Sequence, residues 1–319
     1  MSAAAPKQAL GEGLIARSPA MRALKDDLLR LCEVKSPVLI EGESGSGKDL
    51  VAYWLHALSP RRDAPFIKVH CPSIPSDLLE SELFGHERGA FTDARATKLG
   101  KIELAAGGSL YFDQIHDLDL ALQAKLLRVV EERRFERLGG TRTLEVDVRF
   151  LSSSSVDLRE AVSQGRFRED LYHRLGVVPL RVPALRERRE DVLPLAAAFL
   201  AREIAQGSTR AAGFTPEAEQ ALLAYAWPGN VRELRASVER AALYARAEQI
   251  ERSALPERIL AAPSSLWAGR ERPPSLREVE QAYIMHVLET TDGNQTQAAA
   301  VLGISRKALW EKRRRFGFP

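Results

Sequence analysis

The stretch "PVLIEGESGSGKDLVAYWLHAL" occupies residues 37–58. Its first part, "PVLIE" (37–41), is a short apolar run that reads as a buried strand. Its last part, "DLVAYWLHAL" (49–58), has the spacing of an amphipathic helix. Between them "GESGSGKD" (42–49) turns the chain from strand to helix. Gly42, Gly45 and Gly47 let the backbone turn tightly, so that its N–H groups face a polyphosphate. The helix N-terminus adds the positive end of its dipole. Lys48 stands where it can reach the outer phosphates. Glu43, Ser44, Ser46 and Asp49 complete the loop as candidate nucleotide-contacting residues. At position 49 an acid replaces the hydroxyl that ordinarily ligates magnesium, so that ligand is lost from the general pattern. A glycine-rich turn without a ligand would need the glycines but not the lysine.

Outward from this loop, apolar runs alternate with helical patterns as far as residue 182. The further runs are "PFIKVHC" (65–71), "SLYFD" (109–113), "VDVRFLSSS" (146–154) and "VVPLRV" (177–182). A long helical pattern, "LALQAKLLRVVEERRF" (120–135), lies between two of them. Such alternation predicts an α/β fold, a parallel sheet covered by helices. Residues 1–182 are expected to form this nucleotide-binding domain. Strand patterns then vanish, and 183–260 read as a smaller all-α domain. Residues 261–275, "AAPSSLWAGRERPPS", have linker composition. Residues 276–319 carry three more helical patterns.

In "GGSLYFDQI" (107–115) an apolar run ends in Asp113, and Gln114 follows. In a nucleotide-hydrolysing P-loop protein, the strand here delivers an Asp to the metal, and the next position often carries a Glu that activates water. Asp113 is therefore the candidate magnesium residue, and Gln114 puts an amide where the acid would stand.

The chain has 319 residues, 45% hydrophobic and 28% charged, which suits a globular protein. No apolar run approaches membrane-spanning length, and "MSAAAPKQAL" lacks a signal-peptide core. Two cysteines, Cys32 and Cys71, are too few for a disulfide framework, so a cytoplasmic setting is expected. The net charge of +3 hides a basic end: Arg306, Lys307, Lys312, Arg313, Arg314 and Arg315 face one acid, Glu311, within 305–319. That asymmetry fits a polyanion partner; a solvated helix face would carry the same charges.

"NQTQAAAVLGISRKALWEKRRRFGF" (294–318) reads as a helix, a turn at Gly303 and a second helix. Ala298, Ala299, Leu302, Ile304, Leu309 and Trp310 are expected to pack inward. Ser305 stands at the cap of the second helix. In a helix-turn-helix the second helix enters the major groove, which makes Arg306 and Lys307 the base or phosphate candidates. Arg313, Arg314 and Arg315 are candidates for the DNA backbone.

Taken together, "GESGSGKDLVA", "SELFGHERGAFTDA" (81–94), "GGSLYFDQI", "FREDLYHRL" (167–175) and "WPGNVREL" (227–234) resemble the bacterial enhancer-binding proteins. These are AAA+ activators of sigma-54 RNA polymerase. The likeness spans residues 12–260, and the C-terminal helices resemble the family's Fis-type DNA-binding domain. It begins at the AAA+ domain, so an N-terminal receiver or sensory domain is expected to be absent. The resemblance implies ATP and magnesium as cofactors, with Lys48 on the phosphates and Asp113 on the metal. It implies that Arg168 and Arg174 are arginine fingers reaching a neighbouring subunit's nucleotide. Arg232 becomes the sensor arginine of the lid. An acid at position 49 is normal in this family. The helix over 275–291 resembles the dimerising one, and the implied partners are duplex DNA, further copies of the chain (dimer to hexameric ring) and sigma-54 RNA polymerase.

The departures cluster. Gln114 replaces the water-activating Glu, His70 an Asn that switches it, and Ser155 a sensor Asn. The sigma-contacting loop, with Phe91 and Thr92 at its tip, has Asp93 in place of its second glycine. ATP binding is expected to be kept, hydrolysis to be slow or absent, and sigma-54 contact to be impaired. Gln114→Glu alone is expected to restore little. Two alternatives stay open: an active ATPase that remodels the polymerase, and a non-catalytic partner that poisons rings of intact relatives.

Overall fold

The computed structural model describes residues 13–73, 75–92, 94–245, 247–260, 275–291 and 294–316. The 261–275 linker and Asp93 thus fall outside the described residues, apart from Ser275.

The expected strands form one five-stranded parallel sheet. They are β1 (Val38–Glu41), β2 (Phe66–His70), β3 (Ser109–Asp113), β4 (Arg149–Ser154) and β5 (Val178–Arg181), in spatial order β2-β3-β4-β1-β5. β3 and β4 are buried along their whole length, as central strands of a sheet covered on both faces should be. Side chains alternate between two apolar layers. Val38, Ile40, Tyr111 and Leu151 pack under α1 (Pro19–Leu31) and α2 (Lys48–Ala57). Leu39, Leu110, Phe112 and Phe150 pack on the opposite face, against α4 (Leu120–Glu132) and α6 (Glu169–Leu175). α3 (Ser76–Phe84) lies on this second side, and α5 (Leu158–Ser163) follows β4.

The helix expected over 120–135 stops at Glu132. Arg133 takes a left-handed φ of 59°, and Arg134–Glu136 then pairs antiparallel with Thr143–Glu145. Phe135 is buried from a strand instead of a helix. A periodic pattern does not register a reversal that one residue's backbone angle accomplishes.

Val182 packs in the sheet's core, and Leu185 already belongs to a second one. That core joins α7 (Val192–Ala205), α8 (Pro216–Ala224) and α9 (Asn230–Tyr244) around the fully buried Trp227, whose indole N–H donates to the Leu222 carbonyl at 2.9 Å. A two-residue parallel pair, Gly213–Phe214 with Gln249–Ile250, interrupts its helical character.

α10 (Leu276–Thr290), α11 (Gln295–Val301) and α12 (Arg306–Phe316) share a small core of Ile284, Val287, Ala298, Ala299 and Leu309. Trp310 does not join it: its side chain is 54% exposed, under the Arg314 guanidinium. It sits one residue past Leu309, about 100° around the helix from the inward face. Among the described residues no helix is long and apolar enough to cross a membrane. Cys32 and Cys71 are free and buried.

Candidate functional site

The glycine loop leaves β1 and enters α2 as the sequence predicts. Lys48 is nearly enclosed, and its ammonium donates to the carbonyls of Gly42 (2.7 Å) and Glu43 (3.0 Å). Burial lowers its pKa, with Asp113 and Asp49 opposing. The Ser46 hydroxyl is buried without a hydrogen-bond partner, an unmet donor inside a loop of the phosphate-cradling type. These features fit a polyphosphate.

The helical domain lies directly on this loop. The Gly45 carbonyl accepts from the N–H groups of Val231 (3.0 Å) and Arg232 (3.3 Å), at the start of α9. Gly45 has φ 76°, and a Cβ there would come 2.5 Å from the Gly229 carbonyl oxygen, so only glycine fits. The Arg232 guanidinium donates to the Ser44 hydroxyl at 3.1 Å. Arg188, which the sequence reading missed, donates to the Ser46 carbonyl at 2.6 Å. The Glu43 carboxylate is bound by residues of the segment after the sheet. Arg186 holds it through two bonds of 2.8 and 2.5 Å, and the Asn230 amide donates to it at 3.1 Å. Arg186 and then Asn230 bring its pKa down to about 2.

At the ends of β2 and β3, side chains converge on Asp113. His70 and Asp113 are register partners, and the His70 Nδ1–H donates to Asp113 Oδ2 at 2.8 Å. The Ser153 hydroxyl donates to Asp113 Oδ1 at 3.1 Å. Lys68 places its ammonium 2.9 Å from Asp113 Oδ2 and 2.6 Å from Asp49 Oδ2. The other Asp49 oxygen accepts from the Tyr111 hydroxyl at 2.9 Å. Burial pushes the Asp113 carboxyl up, but Lys68, Ser153 and His70 outweigh it and hold the group below its ordinary value. Asp113 and Asp49 are hard oxygen donors of the kind magnesium takes, beside a loop built for phosphates.

Gln114 follows with a left-handed backbone, φ 61° and ψ 58°. Its N–H donates to the Ser153 hydroxyl at 3.1 Å. Its side-chain oxygen accepts from the Ser155 N–H (3.2 Å) and hydroxyl (2.8 Å). The two departures at positions 114 and 155 thus bond to each other. His70 bonds to Asp113 instead.

Arg168 and Arg174 stand apart from the loop, at the two ends of α6. Arg168 pairs with Asp170 at 2.7 Å and Arg174 with Glu131 at 3.1 Å, both partly exposed. The Arg168 N–H donates to the fully buried Gln123 side chain at 2.8 Å; that amide also donates to the carbonyls of Leu118 and Arg166. A polar residue at a core position of α4 was the unread signal there. Phe91 is 46% exposed and packs edge-on against His86, with ring centroids 4.9 Å apart.

In the C-terminal helices Gly303 has φ 65° in the turn, and the Ser305 hydroxyl caps α12 by accepting from the Ala308 N–H at 3.1 Å. Ser305, Arg306, Lys307 and Arg314 are exposed, and Arg313 is half-buried.

Residues 14–181 match the family described as the Sigma-54 interaction domain. Residues 186–270 match the AAA+ ATPase lid domain, and 275–316 match bacterial regulatory proteins of the Fis family. The transcriptional regulatory protein ZraR of Klebsiella oxytoca is 46% identical over 301 residues, covering 94% of this chain and 68% of that protein. The regulatory protein AtoC of Escherichia coli is 42% identical over 311 residues, covering 95% and 68%. Among solved structures, NtrX from Brucella abortus in complex with ATP superposes with a TM-score of 0.72 at 35% identity, covering 98% of this chain and 72% of that one. With this similarity along nearly its whole length, the chain belongs to the Sigma-54 interaction domain family of AAA+ transcription regulators, with a Fis-type helix-turn-helix at its C-terminal end.

Proposed function

We propose that the protein is a DNA-binding AAA+ regulator of the sigma-54 activator type that binds ATP and assembles through it, but hydrolyses it slowly or not at all. The observation that carries this reading is the Gln114–Ser155 pair, placed beside a loop whose Lys48 and buried Ser46 suit phosphate. NtrX of Brucella abortus has been crystallised with ATP and with ADP, which supports nucleotide binding by this relative.

The roles are carried over from the family resemblance. Residues 42–49 and Arg232 hold the nucleotide, residues 1–182 and 183–260 acting as base and lid. By the family resemblance Asp113 is the residue that would hold magnesium, and here its carboxylate already holds Lys68, His70 and Ser153. Arg168 and Arg174, whose guanidinium groups form partly exposed ion pairs with Asp170 and Glu131, serve the nucleotide of an adjacent copy. The 261–275 segment links this pair to the DNA-binding helices in 276–319. Phe91 and Thr92 present the sigma-54 loop, and an acid in place of glycine at position 93 weakens that contact because burying a carboxylate against a partner is costly.

A non-hydrolysable ATP analogue is expected to shift the protein on a sizing column to a larger, ring-sized species. The same sample is expected to give no ATP-dependent open complex at a sigma-54 promoter. An unchanged elution volume, or robust open complex, would refute the respective half of the proposal.

For the DNA-binding end, Arg306→Ala is expected to relax sequence preference, by about 1–3 kcal/mol at the base it reads. Arg314→Ala is expected to weaken all sequences alike and reduce the salt slope by about one. Binding titrations over a salt series check both. Equal effects of the two substitutions would place neither residue at a base edge.

A further inference from the structure

We propose that the Lys68 ammonium is a resident cation of this site, filling the place between Asp49 and Asp113 that a divalent metal would take, so that nucleotide is held with little need of metal. This rests on the reading of residues 42–49 as a nucleotide loop.

Three observations carry it. First, one ammonium bridges both carboxylates, 2.6 Å from Asp49 and 2.9 Å from Asp113. These are distances of charge-assisted hydrogen bonds. Second, each remaining carboxylate oxygen already has a protein donor: Ser153 on one oxygen of Asp113, and Tyr111 on one of Asp49. The Asp113 oxygen that faces Lys68 also takes His70. A metal must therefore displace Lys68 and approach a positive charge. Third, the Lys68 ammonium lies near an aromatic ring, although its side chain is partly exposed. It comes from β2 opposite Tyr111 of β3, and its ammonium lies 5.6 Å from the centre of that ring.

The balance of ligands points the same way. Magnesium demands near-octahedral oxygen donors and gives up water reluctantly. At position 49 the site offers it a carboxylate already bound to Lys68 and Tyr111, in place of a free hydroxyl. Lys68 supplies the positive charge that the two carboxylates need. The same charge lies next to the loop, on the side where a polyphosphate would bring its own.

The test compares the full-length wild type with Lys68→Met and Lys68→Arg. Binding of ADP carrying a fluorescent ribose label is titrated with magnesium and with a chelator. Binding of Mn²⁺ alone is followed by the paramagnetic resonance of the free ion. Wild type and Lys68→Arg are expected to bind ADP with affinities that differ less than about threefold between the two conditions. Lys68→Met is expected to gain a magnesium dependence of about tenfold or more, the worth of one charge-assisted bond. It is also expected to bind Mn²⁺ about tenfold more tightly than wild type without nucleotide. Equal Mn²⁺ affinity of wild type and Lys68→Met would overturn the proposal, as would a tenfold magnesium dependence in the wild type. If neither protein binds ADP under any condition, the nucleotide reading fails, and the Mn²⁺ comparison alone still decides the role of Lys68. Matching thermal melts of the three proteins establish that the fold is kept.

Discussion

ATP turnover by the wild-type chain is expected to be about 10²–10⁴-fold slower than that of a relative with Glu at the position of Gln114, the usual worth of a general base. The geometry makes the loss more than a missing charge. The one acceptor atom of the Gln114 side chain is occupied by both donors of Ser155. What remains of the amide is its NH₂ group, which donates and cannot accept a proton from water. His70 is tied to Asp113 through its Nδ1–H, which leaves its Nε2 as the acceptor nitrogen. Turnover that survives would come from charge stabilisation and positioning, which carry much of phosphoryl transfer. Phosphate release, measured on the sample whose nucleotide binding has been titrated, checks the expectation. A rate equal to that of the intact relative would overturn it.

Gln114→Glu is expected to recover less than about tenfold of that deficit. The reason lies in the hydrogen bonds of Ser155. Orienting groups are not missing, since Ser155 would seat a carboxylate where it now seats the amide. The same two donors would stabilise the ionised form and make it a weaker base. Adding Ser155→Asn to the substitution tests whether the serine is the brake.

Lys48→Ala is expected to weaken ADP and ATP binding by about a hundredfold, or ~3 kcal/mol. Lys48 is buried beside the loop it serves, and its ammonium now rests on the Gly42 and Glu43 carbonyls. Those bonds hold the loop curved in a shape suited to receiving phosphate. On binding, the charge can turn from neutral carbonyls to phosphate oxygens, a stronger partner. Its removal takes away both the charge and the support of the loop. Titration with labelled ADP checks it, and DNA binding by the C-terminal helices should be unchanged. A loss below threefold would remove Lys48 from the site.

Much of the architecture was legible in the residues themselves. The glycine loop, its strand and its helix are contiguous, so local backbone freedom and periodicity were enough to read them. The same holds for the Gly303 turn and the Ser305 cap, whose hydrogen bonds span a few residues. Periodicity failed where one residue's conformation decided the path, as at Arg133, and where a single helical step moved Trp310 off the core.

The chemistry around Asp113 was legible only in part. The end of a readable strand identified Asp113 and Gln114, and the family resemblance identified His70 and Ser155 as positions that matter. It could not say that Gln114 bonds to Ser155 while His70 bonds to Asp113. Lys68 lies within the apolar run "PFIKVHC", and Arg186 and Asn230 lie 143 and 187 residues from the Glu43 they hold. Those partnerships depend on which strands are neighbours and in what register, since a shift of one residue would turn every side chain to the other face. The sequence by itself determined that this chain makes a glycine loop of the phosphate-binding type, a helical domain after it and a basic helix-turn-helix. Only the tertiary structure decided that an ammonium lies between its two site carboxylates, because that contact joins strands that local sequence does not connect.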